Sequence, residues 1–146
     1  MDASLDGLSS AQKALADRFE DFRRALDRRD EEAYRVALAD FHDRLRRWTD
    51  AEERALLPAL LRVGMPGRDP RRELRLEWVQ VRELTRYLLS QVTERGRLSD
   101  ILGLAENLAR RLAAHRAESE RVYYPAAAGA LTAEEWKVLE EAAPPL

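Results

Sequence analysis

Two stretches of this chain place chemically capable residues at helical spacing. They read W-T-D-A-E-E-R-A-L-L-P-A-L over residues 48–60 and H-R-A-E-S-E-R-V-Y-Y-P-A-A over residues 115–127. The two align without gaps, pairing Arg54 with Arg121 and Pro58 with Pro125, so the chain carries an internal repeat. The same alignment pairs Trp48 with His115 and Glu52 with Ser119. A His and a Glu one helical turn apart project from one face and can both ligate a metal ion. Each repeat carries only one of them, Glu52 in the first and His115 in the second. Two chemistries are therefore open. One is residual metal ligation. The other is a buried hydrogen-bonded pair, in which Glu52 meets His115, Ser119 or a Tyr, or takes up a proton, because an isolated buried carboxylate is costly.

The elements that must position these residues are helices. Apolar residues recur at steps of three and four in four long segments, and strand-like alternation is absent. The first stripe is Leu8, Leu15, Phe19, Phe22 and Leu26, with Ser9 and Gln12 forming a capping-box pattern at its start. Asp30 caps the second segment, whose stripe runs Tyr34, Leu38, Phe41, Leu45, Trp48, Glu52, Ala55 and Ala59. Gly64 to Pro70 is a loop, with Asp69 as cap and Pro70 in the first turn of the third segment. That stripe is Leu74, Trp78, Val81, Thr85, Leu88 and Val92, and Gly96 is placed to end it in a left-handed turn. Ser99 or Asp100 caps the fourth, with stripe Ile101, Leu104, Leu108, Leu112, His115, Ser119, Val122 and Ala126. A Thr132 to Glu135 box opens a short tail helix through Trp136 and Leu139, placed to pack across one end. The pattern predicts one all-α domain over residues 1–146, an up-down-up-down antiparallel four-helix bundle with a short C-terminal helix. Pro58 and Pro125 fall late in the second and fourth helices, where a kink or a helix end is expected.

Composition narrows the function classes. The chain has no cysteine, which excludes disulfides, thiolate metal sites and a cysteine nucleophile. Its 25 basic and 27 acidic side chains nearly cancel, so there is no global pull toward nucleic acid or anionic lipid. No apolar run approaches the roughly 20 residues needed to cross a bilayer, and the N-terminus lacks a basic-then-apolar leader, so a cytoplasmic protein is expected. Gly-rich phosphate loops and the G-x-S-x-G elbow are absent, nothing orients a Ser-His pair, and no second axial ligand supports haem at His115. Enzyme activity is not expected. Tyr123, Tyr124 and Trp136 offer apolar surface for a homodimer, or else close the end of the bundle.

The two repeats resemble the form H-x-x-x-E-E-x-x-L-F-P-A-L found in the second and fourth helices of the hemerythrin-like, or HHE cation-binding, family of four-helix bundles. E-W-V-Q-V-R-E-L (77–84) and R-F-E-D-F-R (18–23) are similar to the E-H-x-x-I-R-x-L pattern of that family's third and first helices. The resemblance covers residues from about Ser9 to Leu131. It implies a bundle whose complete members hold a non-haem di-iron centre and bind oxygen, or sense oxygen, redox state or iron. It further implies that the family's four histidines correspond to Phe19, Trp48, Trp78 and His115, and its two bridging carboxylates to Glu52 and Ser119.

Only Glu52 and His115 keep ligand chemistry, and two groups cannot reproduce a di-iron site. The expectation is a degenerate member without a cofactor, its former metal volume filled by Phe19, Trp48 and Trp78, or opened by them into a ligand pocket with Ser119. Such a protein would serve a binding, regulatory or structural role toward a protein partner or a small apolar ligand. The alternative keeps one divalent ion, iron, zinc or manganese, at Glu52 and His115, with help from Glu77, Glu118 or Glu120, for oxygen, redox or metal sensing. His42, one step off its stripe, is expected at the boundary of the core.

Overall fold

The computed structural model describes residues 1–145. Helix α1 (Leu5–Asp27) starts earlier than the Ser9 pattern suggested: the Ser4 side chain caps it by accepting from the Gly7 N–H. Leu8 belongs to the buried stripe and has to be helical, so Ser9 and Gln12 fall inside the helix. Arg29 turns the chain with a left-handed φ of 60°, and Asp30 caps α2 (Glu31–Ala51) as expected. After the loop, Asp69 caps α4 (Pro70–Thr93), with α3 (Leu57–Val63) lying between α2 and that loop. At the end of α4 the left-handed residue is Arg95 and not Gly96. Gly96 lies close to its neighbour: a Cβ there would stand 3.3 Å from the Gln91 carbonyl oxygen and would displace the end of the Gln91 side chain. Helix α5 (Leu98–Glu118) has Arg97 at its N-cap without a side-chain bond, so neither Ser99 nor Asp100 caps it. Asp100 sits in its first turn, where it offsets the helix dipole.

The two prolines do something more specific than kink. Between α2 and α3, residues Glu52–Leu56 form a π turn, closed by the Leu57 N–H bonding the Glu52 carbonyl. Between α5 and α6 (Tyr124–Ala128), residues Ser119–Tyr123 form its counterpart, closed by the Tyr124 N–H on the Ser119 carbonyl. Each proline lacks an N–H and would crowd the carbonyl four residues back, and the wider turn absorbs both defects. The extra residue also rotates the stripe. Beyond Ser119 the buried residues are Tyr123, Tyr124 and Ala127, whereas Val122 and Ala126 are only half-buried.

Helices α1, α2, α4 and α5 pack in chain order as an antiparallel ring around one core. The final helix, α7 (Ala133–Ala142), opens with the Thr132–Glu135 capping box and fully buries Leu139. It lies along α2 and the first π turn rather than across the end of the bundle. No helix among the described residues is long and apolar enough to cross a membrane.

Candidate functional site

The interior at the level of the π turns gathers most of the buried polar side chains of the core. Trp48 and Glu52 come from α2 and the first π turn, Trp78 from α4, His115 from α5, and Ser119 from the second π turn. All are buried, and only His115, at 6%, keeps measurable exposure. Helix register does this work: the stripes that bury Leu45 and Leu108 reach Trp48, Glu52, His115 and Ser119 one to three turns later.

Glu52 is not left alone, and of the partners open to it a tyrosine makes the bond. Its Oε2 accepts a 3.1 Å hydrogen bond from the Tyr124 hydroxyl, and that hydroxyl accepts a 2.7 Å bond from Gln12 Nε2. Burial, with the Glu52 carboxylate adding to it, pushes the Tyr124 phenol well above its ordinary range, so it stays a donor. The other oxygen, Oε1, faces His115 Nε2 at 4.0 Å, an ion-pair distance but not a hydrogen bond. His115 bonds instead through Nδ1 to Glu77 Oε2 at 2.8 Å. Burial pulls the imidazole toward its neutral form. The neighbouring carboxylates, Glu52 first and then Glu77, outweigh it, raising the pKa to about 9. At neutral pH an imidazolium therefore sits between two carboxyl groups.

Several polar atoms at this level have no partner: Glu52 Oε1, His115 Nε2, Ser119 Oγ and the indole nitrogens of Trp48 and Trp78. The Trp48 N–H faces the Tyr124 hydroxyl without forming a well-shaped bond. An indole N–H is a donor only and cannot ligate a cation. Glu118 pairs with Arg68 at 2.8 Å and Arg121 at 2.6 Å, and Glu120 with Arg116 at 3.1 Å, so neither turns inward. No group of three or more His, Asp or Glu among the described residues is arranged to hold a metal ion. The remaining pair is also splayed. Two ligands about 2.0 Å from a tetrahedral metal stand ~3.4 Å apart, against 4.0 Å between Glu52 Oε1 and His115 Nε2. The residues present do not fit a di-iron centre.

Phe19 stands apart from the others. It packs on Phe22 and Phe41 with ring centroids 5.6 and 5.0 Å away, and Phe41 precedes Trp48 by two helical turns, roughly 10 Å along the bundle. An antiparallel hairpin pairs late α1 with early α2, so Phe19 is level with Phe41, and Gln12 is what α1 brings to the centre. The sequence signal for Gln12 was its place between Leu8 and Leu15 on the stripe, obscured by the apparent capping box. The sequence offers Tyr123 and Tyr124 as apolar surface or end closure, yet both are buried and supply no dimer face. Tyr123 instead donates to Glu73 at 3.0 Å and lies under the Arg68 guanidinium. His42 is half-buried at the core boundary, where burial and then Arg46 hold its pKa low.

The sequence profile of the hemerythrin HHE cation-binding domain matches residues 4–127. No curated protein and no solved structure matches the chain significantly. The profile spans α1 through α6, including both π turns and every residue of the polar centre. This chain belongs to the hemerythrin HHE cation-binding domain family.

Proposed function

We propose that this chain is a hemerythrin-fold protein whose di-iron site has been lost, and that it acts without catalysis as a binding or regulatory component in the cytoplasm. One observation carries the reading: Trp48 and Trp78, at positions matched to family histidines, are fully buried indoles. They fill volume and offer donors where a metal centre needs acceptors. The polar residues that persist hold one another through Tyr124–Glu52 and His115–Glu77 bonds. Its binding target would be a protein partner or a small apolar molecule.

Metal analysis of protein purified without chelator tests this. The expected result is iron, zinc and manganese each well below one per chain. Stoichiometric metal that disappears in Glu52→Ala and His115→Ala would overturn the proposal in favour of a single-ion sensor, the reading that the unpartnered Glu52 Oε1 and His115 Nε2 would then support.

A further inference from the structure

The ring of helices closes less tightly between α1 and α5 than between its other neighbours. A cleft of about 420 Å³ opens there, floored by Leu15, Phe19, Phe41 and Leu112 and walled on α5 by the small side chains of Ala109 and Ala113. It explains why Leu112, an inward stripe residue, is only half-buried. Its size falls within the range of about 300–1,000 Å³ typical of small-molecule sites. Size and small residues alone do not make a site.

Gln12, which is 4% exposed, is one of the residues that line the cleft. The Tyr124 hydroxyl has one proton and spends it on Glu52, so Gln12 must turn its N–H, not its oxygen, toward Tyr124. The amide orientation is thus fixed from inside the core. Gln12 Oε1 is left at the other end of the planar amide group and takes no hydrogen bond from any described residue. An acceptor in the wall of a mostly apolar cleft gives a ligand's donor a specific seat. Charge at the rim is already matched: Arg23 pairs with Glu20 and Glu106, Arg116 with Glu120, and Asp17 with Lys13. Among the described residues that line it, no free cation is there to hold an anionic head group.

We propose that the α1/α5 cleft binds an uncharged, mostly apolar small molecule bearing one O–H or N–H donor, which bonds Gln12 Oε1. This deepens the reading of the chain as a binding component by naming its ligand class and seat, and rests on that reading. Binding would communicate with the bundle centre through the Gln12–Tyr124–Glu52 chain of hydrogen bonds.

The test uses 1-naphthol as the probe and 1-methoxynaphthalene, which lacks the donor, as its control, both titrated into the full chain by calorimetry. The expected result is saturable one-to-one binding of 1-naphthol, about three- to tenfold tighter than the ether, the worth of one hydrogen bond. Ala113→Trp fills the cleft from an exposed position and should weaken 1-naphthol more than tenfold. Gln12→Leu, its fold checked by circular dichroism, should bind both probes alike. Absence of saturable binding, binding indifferent to Ala113→Trp, or a preference for 1-naphthol that survives Gln12→Leu would each overturn the inference. Metal content of the same preparation separates the two proposals. A metal-loaded protein that still binds 1-naphthol in the cleft sinks the metal-free reading alone, whereas a metal-free protein that does not bind sinks only the cleft.

Discussion

The two halves of the molecule share a backbone and divide a chemistry. In the first, a helix running into a π turn presents Trp48 and Glu52; in the second, the same path presents His115 and Ser119. One half keeps the acid and the other keeps the base. The residues after the turn differ too: Leu56 and Leu57 are purely apolar, while Tyr123 and Tyr124 carry hydroxyls, and Tyr124 reaches across to bond Glu52. The π turn thus persists in both halves although the ligand chemistry has diverged, because proline and packing maintain it. What each half lost, the other half compensates.

The sharpest way to break that comparison is to empty the first half. Trp48→Ala removes a fully buried indole and should lower unfolding free energy by about 3–5 kcal/mol, measured by denaturant titration. Trp78→Ala on α4 should cost a similar amount. A loss below about 1 kcal/mol at either position would mean that the indole lines a space able to collapse or fill, and does not support the core.

The next largest effect belongs to the second half and depends on pH. His115 has a folded pKa of about 9, raised above the ordinary 6.5 by Glu52 and Glu77 against the opposing effect of burial. A group held protonated by the fold adds stability that is fully present below pH 6.5 and is lost as pH rises through 9. The difference in unfolding free energy between the wild type and His115→Gln should therefore shrink by roughly 3 kcal/mol from pH 6 to pH 10. A flat difference across that interval would show that the fold does not raise the imidazole pKa and that the two halves are not joined by an ion pair.

How far these relations were legible from sequence varies by residue. The stripes that bury Leu38, Trp48, Trp78 and His115 follow directly from spacing, as do the Asp30, Asp69 and Thr132 caps. In and beyond the first π turn Ala55 and Ala59 are buried as their spacing predicts, but the rotation beyond the second was not legible, because one added residue moves the inward face and buries Tyr124 in place of Val122 and Ala126. Gln12 was hidden by a local coincidence, since Ser9 and Gln12 have capping spacing but Ser4 makes the cap. Phe19 was misplaced along the axis because a short pattern match carries no height. The lengths of the two arms of the hairpin set that height, and they pair Phe19 with Phe41. Glu77 was visible beside Trp78, yet its bond to His115 depends on the approach of α4 to α5, which no single helix encodes.

Tyr124→Phe sharpens the difference between the two tyrosines. It leaves Glu52 Oε2 and Gln12 Nε2 without their buried partner and should cost about 1–3 kcal/mol. Tyr123→Phe breaks bonds to Glu73 and Arg68 near the surface, where both charged groups keep each other and can be hydrated, so less than about 1 kcal/mol is expected. Equal costs measured by thermal or denaturant unfolding would remove the special place given to the Tyr124–Glu52 bond.

The smallest effect is expected where the second half gave up its acid. Ser119 starts its π turn as Glu52 starts the other, is fully buried, and has a hydroxyl without a side-chain or backbone partner. Replacing a buried, unsatisfied hydroxyl by a methyl removes a desolvation cost and leaves almost no cavity. Ser119→Ala should therefore be neutral or stabilise by up to about 1 kcal/mol, whereas Glu52→Ala, at the matched position, strands Tyr124 and His115 and should destabilise. If Ser119→Ala instead cost more than about 1 kcal/mol in the same denaturant titration, the hydroxyl would be bonded to an internal water. The polar centre would then be a hydrated cavity shared by both halves, and the division of chemistry between them would reach one residue further than the direct contacts show.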